Sequence, residues 1–183
     1  MTAPPYIFAC FVTIFSGWAA DKYKQRMLSL VLPSTMAMIG FVIILASVRD
    51  HSLPGVTLFG VFLAIGGLYP ISPAATAWIA LNMAGNTKRA VGIALMVSFS
   101  QLGGIVGSNI YIGNQSPTYP VGFGVSVSML GAFCIVWPII YFFWLKRINA
   151  KRAAMSEEEI KELYSEDQLR DMGDESPLFR YST

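Results

Sequence analysis

The sequence predicts an all-α membrane protein with five transmembrane helices, and its composition and charge placement support that prediction. Hydrophobic residues make up 54% of the 183 residues, charged residues make up only 13%, and the mean hydropathy is +0.53. A chain this apolar cannot cover the surface of a soluble domain, so the bilayer is its expected solvent. Five apolar runs lie between residues 3 and 145, whereas nine of the 11 acidic residues follow residue 150. The chain therefore divides into an apolar body and a polar tail.

The lengths of the apolar runs define the predicted spans. A helix needs roughly 20 residues to cross about 30 Å of hydrocarbon, because in lipid it must satisfy its own backbone. The runs predict spans at 3–20, 27–47, 54–81, 90–112 and 121–145, followed by a tail at 146–183. The first span is short, and we expect its upstream turns to precede this chain. The third span would measure about 42 Å if it were straight, so it must tilt, kink or project from the membrane.

The basic residues predict the orientation. They fall in alternate gaps: at 22–26, at Lys88 and Arg89, and after the last span from Lys146 onward. The positive-inside rule places these three regions in the cytoplasm. We therefore expect the N-terminus outside, the C-terminal tail in the cytoplasm, and the protein in the plasma membrane. His51 falls in an outward gap and is expected to be solvated.

The gap between the first two spans carries a patterned set of residues. Gly17 precedes Asp21 by four positions, and Lys22 and Arg26 follow in the short loop. A carboxylate at a helix end can pair with cations across such a loop, while glycine lets helices approach. Gly17, Asp21, Lys22 and Arg26 are therefore candidates for a latch that holds one conformational state. The alternative is an ordinary positive-inside loop.

The third span contains helix-breaking residues near its middle. Its sequence from Gly66 to Pro73 holds two glycines and two prolines, which predict a kink or an unwound turn. Broken helices expose backbone groups that transporters use to bind substrates and ions. Tyr69 and Ser72 are the side chains best placed to join such a site. The alternative is a proline kink that serves packing alone.

The fourth span carries a polar stripe. Steps of about 100° per residue place Ser98, Gln101, Ser108 and Asn109 in one sector, with glycines including Gly103 and Gly107 on the opposite side. The glycine face is expected to pack against another helix, and the polar face to line a solute path. Ser98, Gln101 and Asn109 are therefore candidate substrate-lining residues. The alternative is a hydrogen-bonding stripe inside the bundle.

Other kinds of chemistry have no support in the sequence. The predicted spans contain no Asp, Glu, Lys, Arg or His, so no charged anchor for a substrate lies within them. No phosphate-binding glycine loop, zinc-ligand spacing or nucleophile with a partner base is present. We therefore predict no enzymatic activity, no catalytic residue, no metal site, no cofactor and no nucleic-acid partner.

The tail, from residue 146 onward, has two local signals. Ser156 and Glu159 form a capping-box pattern, and Gly173 is suited to end a second short helix. A solvated tail is expected, and the alternative is a tail that binds a partner or regulates the protein.

Several motifs together resemble one transporter family. The loop from Gly17 to Arg26 is similar to the signature G-x-x-x-D-[RK]-x-G-[RK]-[RK] of the major facilitator superfamily, although Lys24 replaces its second glycine and Gln25 a base. Over nearly the whole chain, the sequence resembles the C-terminal portion of the fungal anion:cation symporters of the allantoate permease type. The other segments that carry this resemblance are Pro4-Pro5-Tyr6, Thr87-Lys88-Arg89-Ala90, Tyr119-Pro120, Gly173-Asp174 and Pro177-Leu178-Phe179-Arg180-Tyr181.

The resemblance implies a fold and a function. The five spans would be helices eight to twelve of a twelve-helix major facilitator fold, whose N-terminal helices precede this chain. The implied function is transport of a small organic anion, such as a vitamin- or ureide-like carboxylate, by alternating access and with proton coupling. Two alternatives stay open: a truncated fragment that does not transport, and a membrane scaffold or nutrient sensor that acts through its tail.

Overall fold

The structure is a computed structural model that describes residues 3–49, 54–116, 118–155, 159–160 and 163–183. Two predictions, the solvation of His51 and the capping box begun by Ser156, fall outside these residues. Within them the chain is largely α-helical. The α-helices are α1 Ala3–Tyr23, α2 Arg26–Arg49, α3 Pro54–Leu68, α4 Ile71–Asn82, α5 Asn86–Asn109, α6 Pro120–Met129, α7 Trp137–Ala153 and α8 Glu166–Met172.

Five helical segments of the described chain are long and apolar enough to cross a membrane, which agrees with the predicted number. They are Ala3–Tyr23, Arg26–Ser47, Pro54–Asn82, Asn86–Asn109 and Pro120–Ala153. The last segment continues past residue 145, the predicted end of the fifth span, and reaches Ala153 without a break in the helical backbone. As a result, the first basic residues of the predicted tail lie on a helix.

The closest helix packing joins α2 and α3 through small residues. An added Cβ at Gly40 would lie 2.4 Å from the backbone nitrogen of Ala64, and one at Gly67 would lie 2.4 Å from the carbonyl oxygen of Pro33. Gly60 also faces α2, because a Cβ there would lie 3.1 Å from the carbonyl oxygen of Gly40. Glycine at these positions lets two helix backbones touch, as it often does inside membranes.

A buried apolar cluster lies where α1, α4 and α7 end and where α2 and α5 begin, which we call the tail-side end of the bundle. Its centre consists of Leu30, Trp78 and Leu145, from α2, α4 and α7. The Trp78 ring meets Tyr141 edge-on, with centroids 5.3 Å apart. The cluster fixes the end of α4 against α7, and so positions the residues that follow Trp78.

The fifth span contains a wider helical segment between α6 and α7. Residues Leu130–Val136 form a π-helix, and at its end the backbone N–H of Trp137 donates to the carbonyl of Ala132, five residues earlier. Pro138 follows at once and has no N–H to offer the carbonyl of Cys134. The predicted span at 121–145 did not include this π segment.

The tail folds back onto the bundle. Helix α8 gives way at Gly173, which has φ +56°, to a 3₁₀ turn over Gly173–Glu175, so the predicted stop at Gly173 is confirmed. The expectation of a solvated tail is wrong for residues 173–183, which bond to the tail-side end. We call these residues the tail segment.

Candidate functional site

The third span is interrupted at Tyr69–Pro70, as the sequence predicts. The two residues form a turn between α3 and α4, where the N–H of Tyr69 donates to Ile65 at 3.3 Å and the N–H of Ala74 donates to Pro70 at 3.1 Å. Pro70 and Pro73 have no N–H, so the carbonyls of Gly66 and Tyr69 lack their usual donors four residues on. The break thus leaves backbone acceptors in the middle of a span.

The side chains at the break are accessible. Tyr69 and Ser72 are both exposed, and the Tyr69 ring meets Tyr6 of α1 edge-on with centroids 5.8 Å apart. The hydroxyl of Thr76, one turn beyond Ser72, donates to the Ser72 carbonyl at 2.9 Å. Two hydroxyl groups are therefore free to meet a polar solute beside the interrupted helix.

The predicted polar stripe on α5 is exposed along its length. Ser98 donates through Oγ to the Ala94 carbonyl at 2.9 Å, and Asn109 donates through Nδ2 to the Ile105 carbonyl at 2.8 Å. Gln101 is exposed and its amide has no hydrogen-bond partner among the described residues. The stripe therefore has one amide with full hydrogen-bonding capacity between two groups that are bonded to their own helix.

The contact between α4 and α5 is confined to the tail-side half of α5. The hydroxyl of Thr76 reaches the sulfur of Met96 at 3.8 Å, and Met83 packs against Gly92. Farther along α5, no atom of the described chain lies within 4 Å of a Cβ added at Gly103 or Gly107. Among the described residues, the predicted packing of the glycine face is therefore present at Gly92 and Met96 and absent at Gly103 and Gly107.

The first loop brings its predicted residues together only in part. Arg26 pairs with Asp21, with Nη2 and Oδ1 2.6 Å apart, whereas the Lys22 ammonium lies 4.6 Å from the centroid of the Trp18 ring. Gly17 is exposed, and nothing lies within 4 Å of a Cβ added there. Of the expected latch contacts among the described residues, the Asp21–Arg26 pair alone joins the end of α1 to the start of α2.

The loop has an unusual backbone at Lys24. This residue has φ +51°, in the left-handed region that favours glycine, and it stands where the major facilitator signature has its second glycine. The resemblance therefore extends to the backbone shape of the loop, although the residue differs.

A cavity adjoins the ion pair. It has a volume of about 450 Å³ and lies between α1, α2 and α4. Its polar lining comes from Thr13, Ser16, Asp21, Arg26 and Ser29, and its other wall is formed by alanines and prolines of the third span. The predicted latch and the broken helix thus share one cavity.

The tail segment binds the end of α4 through two residues that are not among the predicted site residues. Trp78 donates through Nε1 to the Ser182 carbonyl at 2.9 Å. Asn82 donates to the same carbonyl at 3.2 Å and accepts from the Ser182 N–H at 2.7 Å. Trp78 and Asn82 are both buried, so these are protected polar contacts. Their spacing of four residues on one helix face was the signal available in the sequence.

The same segment binds α7 and the first turn of α5. Asn149 donates to the Tyr181 carbonyl at 2.8 Å and accepts from the Tyr181 N–H at 2.9 Å. Arg152 donates to the carbonyls of Phe179 at 2.8 Å and Asp174 at 3.0 Å. The side chain of Asp174 forms an ion pair with Lys88, in the first turn of α5.

These features define a multi-pass helical membrane protein with an interrupted span, a polar stripe and a loop ion pair. A family model described as the Major Facilitator Superfamily matches residues 1–179, and the chain belongs to that superfamily. The chain is a multi-pass integral membrane protein.

Relatives with transporter names cover the chain almost completely. It is 38% identical over 182 residues to the MFS-type transporter cnsO of Penicillium expansum, covering 99% of this chain and 35% of the relative. It is 30% identical over 155 residues to an uncharacterized transporter of Schizosaccharomyces pombe, covering 83% of this chain and 30% of the relative.

A further relative has a named substrate. The chain is 26% identical over 183 residues to the high-affinity nicotinic acid transporter of Saccharomyces cerevisiae, covering 99% of this chain and 33% of that protein. The chain spans about a third of the length of these curated relatives. No solved structure matches it.

Proposed function

We propose that the chain supplies helices eight to twelve of a twelve-helix carrier that moves a small organic anion across the plasma membrane by alternating access. Within the superfamily, the proposal places the carrier among the fungal anion:cation symporters of the allantoate permease type. The observation that carries it is the exposed polar stripe of α5. The span before α5 in the chain is the interrupted one, with its free carbonyls and exposed hydroxyls. Matched lengths of about a third of each relative support the assignment to one part of a larger fold.

The polar groups suit a carboxylate substrate. The hydroxyls of Tyr69 and Ser72 and the amide of Gln101 can donate hydrogen bonds to a carboxylate. Ser98 and Asn109 donate to their own helix, and Ser98 would have to turn away from the Ala94 carbonyl to meet a substrate. Nicotinic acid, named as the substrate of one relative, is a carboxylic acid. The predicted spans contain no ionisable acid, base or cation, so a countercharge and a proton-coupling group belong to helices outside this chain.

The loop between α1 and α2 is the proposed latch of the transport cycle. In the proposed cycle Asp21, Lys22 and Arg26, with Gly17 beside them, act as the latch of one state in the cytoplasm. The N-terminus of the chain lies outside and the tail inside, as the distribution of cations favours. The Asp21–Arg26 contact of 2.6 Å supports the latch, because it links the ends of two spans beside a cavity.

The test is uptake of labelled nicotinic acid and other small organic anions. Cells would make either this chain alone or the same chain as the C-terminal part of an extended reading frame. We expect uptake from the extended protein, and a rise in KM of roughly ten- to hundredfold for Gln101→Ala, because a hydrogen bond to a charged group contributes roughly 1.5–3 kcal/mol.

Ser128→Ala is the matched control for the stripe. Ser128 is also exposed and its hydroxyl donates to its own helix, at the Gly124 carbonyl, 2.8 Å away. The proposal fails if the extended protein takes up none of the anions, or if Ser128→Ala raises KM as much as Gln101→Ala does.

The docked tail segment favours a second candidate function, that of a nutrient sensor or scaffold that acts through its tail. A deletion of the tail that abolishes a signal and leaves uptake unchanged would support the sensor. A chain that gives no uptake in any context and no signal would instead be a non-transporting fragment.

A further inference from the structure

Side chains at the tail-side end of the bundle contact the tail segment mainly at the backbone of that segment. Asn82 engages both the N–H and the carbonyl of Ser182, and Asn149 engages both groups of Tyr181. A side-chain amide that meets both groups of one residue offers the pairing that a neighbouring β-strand would offer. Two such amides on different helices hold two consecutive residues, which is a means of recognising an extended peptide.

An arginine extends this recognition along the segment. Arg152 donates to the carbonyls of Phe179 and Asp174, and its guanidinium lies 4.7 Å from the centroid of the Tyr181 ring. The Tyr181 hydroxyl in turn donates to the Asp174 carbonyl at 3.0 Å, which folds the segment around the cation. Asn82, Asn149 and Arg152, from two helices, thus contact the backbone of one short stretch of chain.

The segment can leave without dismantling the helix packing. The cluster of Leu30, Trp78 and Leu145 has its own contact between α4 and α7, since Trp78 meets Tyr141 directly. The described residues of α8, which precedes the segment, are mostly exposed. Tyr181 of the tail segment packs against this cluster, and the segment's other contacts described above are polar, so local opening can break them without separating the helices.

The segment also joins helices that belong to three different spans. It bonds to α4 through Asn82 and Trp78, to α5 through Lys88, and to α7 through Asn149 and Arg152. If these helix ends moved apart, the segment would lose its contacts with at least one of the three helices. Docking of the segment therefore favours one spacing of the three ends.

We propose that the tail-side end is a peptide-binding site, occupied by residues 173–183 of this chain, and that docking and release of this segment control the spacing of α4, α5 and α7. The occupant is recognised by its backbone, so the identity of the Ser182 side chain has little effect on docking. The proposal goes beyond transport and does not depend on which solute is carried.

The test compares two substitutions at one tail position in the full chain in lipid nanodiscs. Ser182→Pro removes the N–H that donates to Asn82, whereas Ser182→Ala keeps it. Hydrogen–deuterium exchange with residue-resolved fragmentation then measures the Tyr181 N–H, which is protected by Asn149 in the docked state. Both changes lie in the tail segment, so the bundle keeps its sequence.

We expect Ser182→Pro to speed exchange at Tyr181 by about five- to tenfold, because one hydrogen bond is lost and a buried acceptor is left unpaired. Ser182→Ala should stay within roughly twofold of the unmodified chain. Equal acceleration by both variants would overturn recognition through the backbone. If the Tyr181 N–H exchanged only when the amides of α2 and α3 also exchanged, the segment would not be released separately from unfolding of the bundle, and the proposal would be overturned.

Discussion

Replacement of Gly67 by alanine tests the close packing of α2 and α3. The new Cβ would lie 2.4 Å from the Pro33 carbonyl oxygen and 2.5 Å from the Ala37 backbone nitrogen. Both are backbone atoms, so neither can rotate away as the end of a side chain would. Ordinary contacts of this kind begin at 3.4 Å, and the two helices must therefore separate by about 1 Å at this point.

Two opposing terms set the magnitude. Overpacking a tight contact costs roughly 1–3 kcal/mol, and alanine in a helix gains about 0.5–1 kcal/mol over glycine. Gly67→Ala should therefore lower the free energy of unfolding by about 1–2 kcal/mol. Gly104→Ala in α5 is the control, since it brings the same helical gain and nothing lies within 4 Å of its Cβ.

The assay is unfolding in mixed micelles by titration with sodium dodecyl sulfate, followed by circular dichroism. The difference between the two variants isolates the clash, because their helix propensities cancel, and we expect it to be about 2 kcal/mol. Equal stability of Gly67→Ala and Gly104→Ala would show that the helices do not approach as closely as described.

Two further predictions concern the loops of the tail-side end. Lys24→Gly should raise the free energy of unfolding by about 0.5–1 kcal/mol in the same titration, because φ +51° strains a residue with a Cβ; a loss of stability would contradict this. In a background where Cys10 and Cys134 are replaced by alanine, Lys24→Cys and Lys88→Cys should react with an impermeant maleimide only from the cytosol. Labelling of either position from outside would overturn the proposed orientation.

The number of spans and the break in the third could be predicted because each has a local cause. An apolar run of sufficient length requires a helix in lipid, and Pro70 with Pro73 removes two backbone donors wherever the chain folds. The exposed positions of Tyr69 and Gln101 fit their proposed role, which local sequence cannot establish because a lining residue is defined by what faces it. Those assignments therefore stay predictions.

The docking of the tail segment could not be predicted, since its contacts join distant parts of the chain. Asn82 and Ser182 are 100 residues apart, and Asn149 and Tyr181 are 32 apart. An asparagine at the end of a helix is equally suited to a cap, so its residue type does not reveal a distant partner. The strained backbone of Lys24 was also missed, because lysine itself does not indicate a positive φ and only the glycine at the matching position of the signature pointed to one.

The interruption at Tyr69–Pro70 also constrains how the chain enters the bilayer. Helix α3 has 15 residues and α4 has 12, which correspond to about 22 Å and 18 Å. Neither length crosses about 30 Å of hydrocarbon, so neither half can be inserted as an independent span. The insertion machinery must accept both halves together, with the turn already inside the membrane. Mutations that lower the hydrophobicity of either half should therefore impair membrane insertion of the whole segment before they impair transport of any solute.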